Sequence, residues 1–133
     1  MTNYMALDVG EKRIGVALAD SEVKIAIPFG VIEVNGKEVF EVNRLIIDEK
    51  IDILVVGLPR NQQGEETNQS GFSRRFAANF ELSVPKIVFQ DESLTSVLAE
   101  QQLKAMDQPY SKGDIDAWAA GMILQDYLEA HTK

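Results

Sequence analysis

The chain has no cysteine, a single histidine and few basic residues, and each shortage removes a class of chemistry. Without cysteine there are no disulfides, thiolate metal sites or cysteine nucleophiles, a composition that fits a reducing compartment. The one histidine, His131, stands near the C-terminus, where chain ends tend to be frayed and solvated. Ser-His catalysis and histidine-rich zinc sites therefore find no support. Lys and Arg total 13 against 21 Asp and Glu, a formal charge of −8, which argues against nucleic-acid binding through bulk positive charge. A phosphate-bearing partner would have to be held locally, by a small basic patch or by metal ions. No apolar run approaches the roughly 18 residues of a membrane span, and the N-terminus lacks a basic-then-apolar signal. The expectation is a soluble, cytoplasmic protein with no membrane partner.

The 133 residues suffice for one domain with a real core, and no repeat, low-complexity tract or long linker divides residues 1–133. Tyr4 to Val9 and Ile14 to Ala19 are apolar runs joined by Gly10 to Arg13, the spacing of an antiparallel hairpin. A third strand is expected around Ile25 to Val34, where Pro28 and Gly30 suit an edge. Val39, Val42, Leu45 and Ile46 fall at helical spacing within Glu38 to Lys50. Ile53 to Leu58 is apolar without alternation, as in a parallel strand covered on both faces. Phe72, Phe76, Ala77 and Phe80 mark a second helix, Lys86 to Gln90 a further strand, and another helix begins near Thr95. Ile115, Trp118, Ala119, Met122 and Ile123 predict the buried face of a last helix. The order βββαβαβαα implies an α/β fold: a mixed five-stranded sheet, three antiparallel strands then parallel ones, flanked by helices and joined by right-handed crossovers.

Asp8 closes the first apolar strand, where a carboxylate costs several kcal/mol unless something compensates it. In open sheets, sites lie beyond the carboxyl ends of parallel strands, and Asp8, Gly57, Asp91 and Glu92 all occupy such ends. Asp114 and Asp116 sit in the first turn of the last helix, on either flank of its apolar stripe at about 100° per residue, so that Asp8, Glu92 and Asp116 could converge. Clustered carboxylates raise one another's pKa, and divalent cations relieve the repulsion. All-oxygen ligation points to Mg2+ or Mn2+, and two ions about 4 Å apart would stabilise the attacking and leaving oxygens of an in-line phosphoryl displacement. Each acid also has an ordinary reading. Asp114 and Asp116 would gain about 0.3–1 kcal/mol from the helix dipole, with Asp114 as a cap; Asp91 could punctuate a loop; Asp8 could accept from the amides of Gly10 to Lys12.

The glycines of DVGEKRIGVALAD are spaced GxxxxG, but Val16 and Ala17 follow where a P-loop needs Lys and Ser or Thr. The polar loop from Gly57 to Ser70 could offer backbone N–H groups, Arg60 and Asn61 to phosphate, or be an ordinary surface loop. Lys12, Arg13, Arg60, Arg74, Arg75 and Lys112 are candidates for a local basic rim, against the alternative of scattered solvated charges.

Four segments in order, LDVGEKRIGVALAD (Leu7 to Asp20), VVGLPRNQQGEE (Val55 to Glu66), DESLTS (Asp91 to Ser96) and KGDIDAWAAGMILQDYL (Lys112 to Leu128), span nearly the whole chain. In these the chain resembles the YqgF (RuvX) proteins, small RNase H-like nucleases related to Holliday-junction resolvases and implicated in maturing the 5′ end of pre-16S ribosomal RNA. The resemblance implies an RNase H-like fold and a metal-dependent phosphodiesterase. It assigns Asp8, Glu92 and Asp116 as catalytic, metal-binding carboxylates, with Asp91 as a further candidate ligand; Asp114, a candidate from its place in the helix, falls where relatives often have a non-acidic residue and ranks below Asp116. Ser93 replaces an arginine usual in the family, Leu98 stands where a capping glutamate is common, and Gly57 stands where the resolvases carry an acid. The function expected is hydrolysis of structured RNA, a ribosomal precursor, with the ribosomal particle as a candidate partner. The rivals are a nuclease of branched DNA on the same carboxylates, an actin-like or sugar-kinase phosphate site, which would need two domains, and a non-catalytic ribosome-assembly factor.

Overall fold

Along β1 (Asn3–Val9), successive side chains alternate between two helix-covered faces, and both are apolar: Tyr4 and Ala6 on one, Met5, Leu7 and Val9 on the other. The computed structural model describes residues 1–92, 95–107 and 109–131, and for residues 95–97 the backbone alone. After β1 come β2 (Arg13–Asp20), β3 (Ile27–Glu33), α1 (Glu38–Asp48), β4 (Ile53–Leu58), α2 (Asn68–Ala78), β5 (Lys86–Asp91), α3 (Thr95–Ala105) and α4 (Lys112–His131). The strands form one sheet in the order β3-β2-β1-β4-β5. β1 and β2 pair antiparallel, as do β2 and β3, whereas β1, β4 and β5 run parallel. This is the mixed α/β sheet expected from the order of elements. Among the described residues, no helix is long and apolar enough to cross a membrane.

One face of the sheet packs on α1 and α2. Val42 and Ile46 of α1, Ala77 of α2 and the following Phe80 join Met5, Leu7, Ile14, Val16, Leu54 and Val56 in the larger core. Phe80 is fully buried and meets Phe76 edge-on at 5.2 Å, a side chain whose burial contributes about 1.5–3 kcal/mol. β3 is an edge strand, as its Pro28 suggested, and a bulge between Val16 and Ala17 shifts its register.

The other face packs on α4, which α3 flanks. The sheet here presents Ala6, Ala17, Gly15 and Gly57, and the helix answers with Ala117, Ala120 and Gly121, followed by Ile123, Leu124, Tyr127 and Leu128. The buried face of α4 is therefore turned from the one its large side chains predicted. Ala119 and Ile123 are buried as expected, but Ile115, Trp118 and Met122 remain partly exposed. Small residues facing small residues let the helix backbone approach the sheet, and the bulkier Trp118 and Met122 are left to its flank.

Candidate active site

Asp8 points to the α4 face and is bracketed there by two glycines. Its antiparallel partner on β2 is Gly15; on β4, Leu7 pairs with Val56, so Gly57 comes level with Asp8 on the other side. Glycine within a strand marks the close approach of another group, and each of these makes room for a different one. A Cβ on Gly15 would stand 2.0 Å from the Asp116 carbonyl oxygen, so α4 at its second turn rests directly on the strand beside Asp8. A Cβ on Gly57 would stand 2.4 Å from Glu92 Oε2 and 2.6 Å from Ile123 Cδ1. Glu92, arriving just after β5, thus fills the space that a side chain at position 57 would take.

Asp8 and Glu92 are both largely withdrawn from solvent, and their carboxyl groups hydrogen-bond to each other. Burial pushes the Glu92 carboxyl up, and the Asp8 charge and their mutual hydrogen bond carry it to about 9. Asp8 is also raised: burial dominates, the hydrogen bond from Glu92 opposes it, and the nearby charge of Asp116 adds to it. Both carboxyls are thus held above the usual carboxylate range, which favours one proton held between them. Asp116 is close enough for its charge to be felt, but its Oδ2 accepts from Arg13 Nε at 2.8 Å. As the side chains stand, no three acidic or histidine groups among the described residues lie within reach of one ion.

The remaining predicted residues divide by position. Asp91 is paired with Leu58 in register and so projects to the opposite face from Gly57; Arg60 Nε donates to its Oδ1 at 2.7 Å. Asp114 belongs to a capping box: its Oδ2 accepts from the Ser111 N–H at 2.8 Å, and Ser111 Oγ accepts from the Asp114 N–H at 3.2 Å. Ser111, rather than Asp114, is the cap. Asn61 organises its own loop, its Oδ1 accepting from the N–H groups of Gln63 and Glu65, and Arg60 also donates to the Gly64 carbonyl. Arg74 grips Glu66 with two bonds of 2.8 Å and lies 4.7 Å over the Phe89 ring, on the α2 side of the sheet. Arg75, beside it on α2, is exposed. Lys12 and Lys112 are exposed at the same end as Arg13, one in the β1–β2 turn and one at the start of α4. The six basic residues therefore do not form one rim: Lys12, Arg13 and Lys112 flank the carboxylates, and Arg60 and Arg74 are engaged around the polar loop. Leu98 is exposed on α3, and Ser93 lies outside the described residues.

Two sets of residues build the site in ways the sequence did not announce. Gly15 and Gly57 carried a signal, glycine inside an apolar strand, whose meaning depends on a register no single sequence reveals. Gln69, at the start of α2, donates from Nε2 to the Val9 carbonyl at 3.0 Å, and Ser70 Oγ donates to the Pro59 carbonyl. With the Thr67 cap, these contacts hold the polar loop against the end of β1.

Comparison with known proteins identifies the family and the fold. Residues 2–130 match the family model described as RuvX: Holliday junction resolvase. A protein of Chloroflexus aurantiacus named "Putative pre-16S rRNA nuclease" is 42% identical over 132 residues, covering 95% of this chain and 86% of its own. A Sulfurihydrogenibium protein of the same name is 40% identical over 133 residues, covering 97% and 91%. Among solved structures, the fowlpox virus resolvase in complex with Holliday junction DNA superposes with a TM-score of 0.62 at 16% identity, covering 99% of this chain and all of that one. RuvC of T. thermophilus with its Holliday junction substrate gives 0.57 at 15% identity, covering 98% and 95%. The resolvase-like sheet and a family match over nearly the full length lead to one conclusion: the chain belongs to the RuvX family and is a nuclease with the RNase H-like fold.

Proposed function

We propose that this protein is a Mg2+- or Mn2+-dependent nuclease of structured RNA that processes the 5′ end of pre-16S ribosomal RNA in the cytoplasm, on free precursor or on the assembling ribosomal particle. The observation that carries the reading is the contact of Asp8 with Glu92 at the strand ends, close enough to Asp116 for its charge to be felt at Asp8. The donor set fits a hard cation: it is all oxygen, and its two central carboxyls are withdrawn from water, adjacent and able to coexist as anions only with added positive charge. Asp8, Glu92 and Asp116 would hold two such ions. When bound, the ions supply the charge that offsets the attacking and leaving oxygens of phosphodiester hydrolysis.

The chain's own contribution is position and exclusion. Gly15 and Gly57 set how near α4 and Glu92 come to Asp8, and Lys12, Arg13 and Lys112 are assigned the phosphate backbone next to the carboxylates. Arg60, Asn61, Arg74 and Arg75 are assigned the more distant backbone, around the polar loop. RNA is favoured by the names that the two relatives carry. A junction-cleaving DNase is the second reading, favoured by the family description and by the substrates held in the two resolvase structures. Incubating the protein with a precursor 16S fragment and with a four-way DNA junction, each in Mg2+ and in chelator, separates them. Cleavage of the RNA at its 5′ side in Mg2+ alone is expected; cleavage of the junction alone would replace this reading with the second.

A further inference from the structure

We propose that Arg13 is a positioning residue that latches Asp116 away from the cation site, and that a substrate phosphate releases it. The inference rests on the reading that Asp8, Glu92 and Asp116 hold the cations. The backbone of Asp116 is packed close beside Asp8, its carbonyl oxygen occupying the space above Gly15, the cross-strand partner of Asp8. Only the side chain can choose a partner. It has two choices on one side of the sheet, the Asp8/Glu92 pair, where its charge is already felt, and Arg13, to which it is bonded at 2.8 Å. The side chains of Arg13 and Asp116 are 27% and 24% exposed, so water competes weakly for either.

Arg13 is suited to give Asp116 up only when another anion arrives. A guanidinium binds phosphate through paired N–H donors in a fixed fork, and Arg13 opens β2 at the end of the sheet where Lys12 and Lys112 also stand exposed. Its register partner on β3 is Glu33, an exposed acid on the same face. A phosphate taking Arg13 frees Asp116 to turn toward Asp8 and Glu92, so nucleic acid and cation each raise the affinity for the other, as linkage requires. The device keeps the acidic site incompletely assembled until substrate is in place.

The test is Mn2+ affinity measured by titration calorimetry and by the spectrum of free Mn2+, with no nucleic acid present. Arg13→Gln is expected to bind Mn2+ about 5–10-fold more tightly than wild type, and Arg13→Lys, which keeps the charge without the Nε–H donor, to fall between them. The gain disappears in the Arg13→Gln/Asp116→Asn double variant. Lys12→Gln removes the same charge one residue away and should change affinity far less; an equal gain there would reduce the effect to general electrostatics and overturn the latch. Unchanged or weaker Mn2+ binding by folded Arg13→Gln, checked by circular dichroism, would also overturn it. Adding a phosphorothioate RNA duplex should tighten Mn2+ binding to wild type but not to Arg13→Gln, and an equal tightening of both contradicts the coupling. Asp8→Asn separates the two levels: if it leaves Mn2+ uptake untouched, the cation site itself is wrong, whatever Arg13 does.

Discussion

Gly57 leaves a space that Glu92 and Ile123 fill to within 2.4 and 2.6 Å of where a Cβ would be. Gly57→Ala must therefore push both away, at about 1–3 kcal/mol for an added methyl in a packed site, or roughly 3–5 °C of melting temperature per kcal/mol in a domain of this size. Gly30→Ala, where nothing lies within 4 Å, is the matched control, and the melting temperatures of the two variants should differ clearly. Cation affinity should fall with the first and not with the second. The protonation of Glu92 gives a second expectation at this scale. In the unfolded chain Glu92 titrates near 4.5 and in the folded protein at about 9, so between those values the folded state holds the extra proton. Metal-free protein should thus lose stability as pH rises through that window, and Asp8, also raised, acts in the same sense. Melting curves from pH 5 to 9 in chelator check this, and Glu92→Gln should flatten the slope. Added Mn2+ should stabilise wild type more at pH 8 than at pH 6, because protons and cation compete for the same oxygens.

Helix α4 shows what a sequence conveys about an element and what it withholds. Its existence and the burial of Ala119 and Ile123 were legible, as were the apolar strands β1 and β4, because continuous apolar runs and helical spacing are local signals; its start lay a turn earlier than the acids suggested, capped by Ser111 and leaving Asp116 in the second turn. Its orientation was not legible, since periodicity weights large side chains while this contact runs through Ala117, Ala120 and Gly121. The turn of the helix explains Asp116: it stands one turn before Ala120 on the side that meets the sheet, whereas Asp114 is spent on the cap with Ser111. The Arg13–Asp116 bond spans 103 positions of sequence, and no local pattern could announce it. Strand-end acids were visible as candidates, but that Asp91 would project away and Glu92 inward depended on the pleat of β5 and on the gap at Gly57. The capping assignment is testable. Ser111→Ala should cost about 0.5–2 kcal/mol and Asp114→Asn a smaller amount, with RNA cleavage retained in both, whereas Asp116→Asn should abolish cleavage with little loss of stability. Loss of cleavage in folded Asp114→Asn would move the role back to that residue.

At the scale of the molecule, an acidic chain is reconciled with a polyanionic substrate by concentration of charge. The formal charge of −8 repels nucleic acid at a distance, so on the proposed reading affinity would come from the few cations at one end of the sheet and from divalent ions that its carboxylates would hold. The topology makes this possible, since parallel β1 and β5 bring Asp8 and Glu92 to the same margin and the antiparallel β2 returns Gly15 beneath the start of α4. Everything turns on whether those carboxylates hold the ions that hydrolysis needs. The most direct measurement is cleavage of a pre-16S ribosomal RNA fragment by wild type and Asp8→Asn, purified in parallel, in Mn2+. Cleavage by wild type that falls to background in folded Asp8→Asn is the predicted result, and equal cleavage by the two proteins would contradict the account.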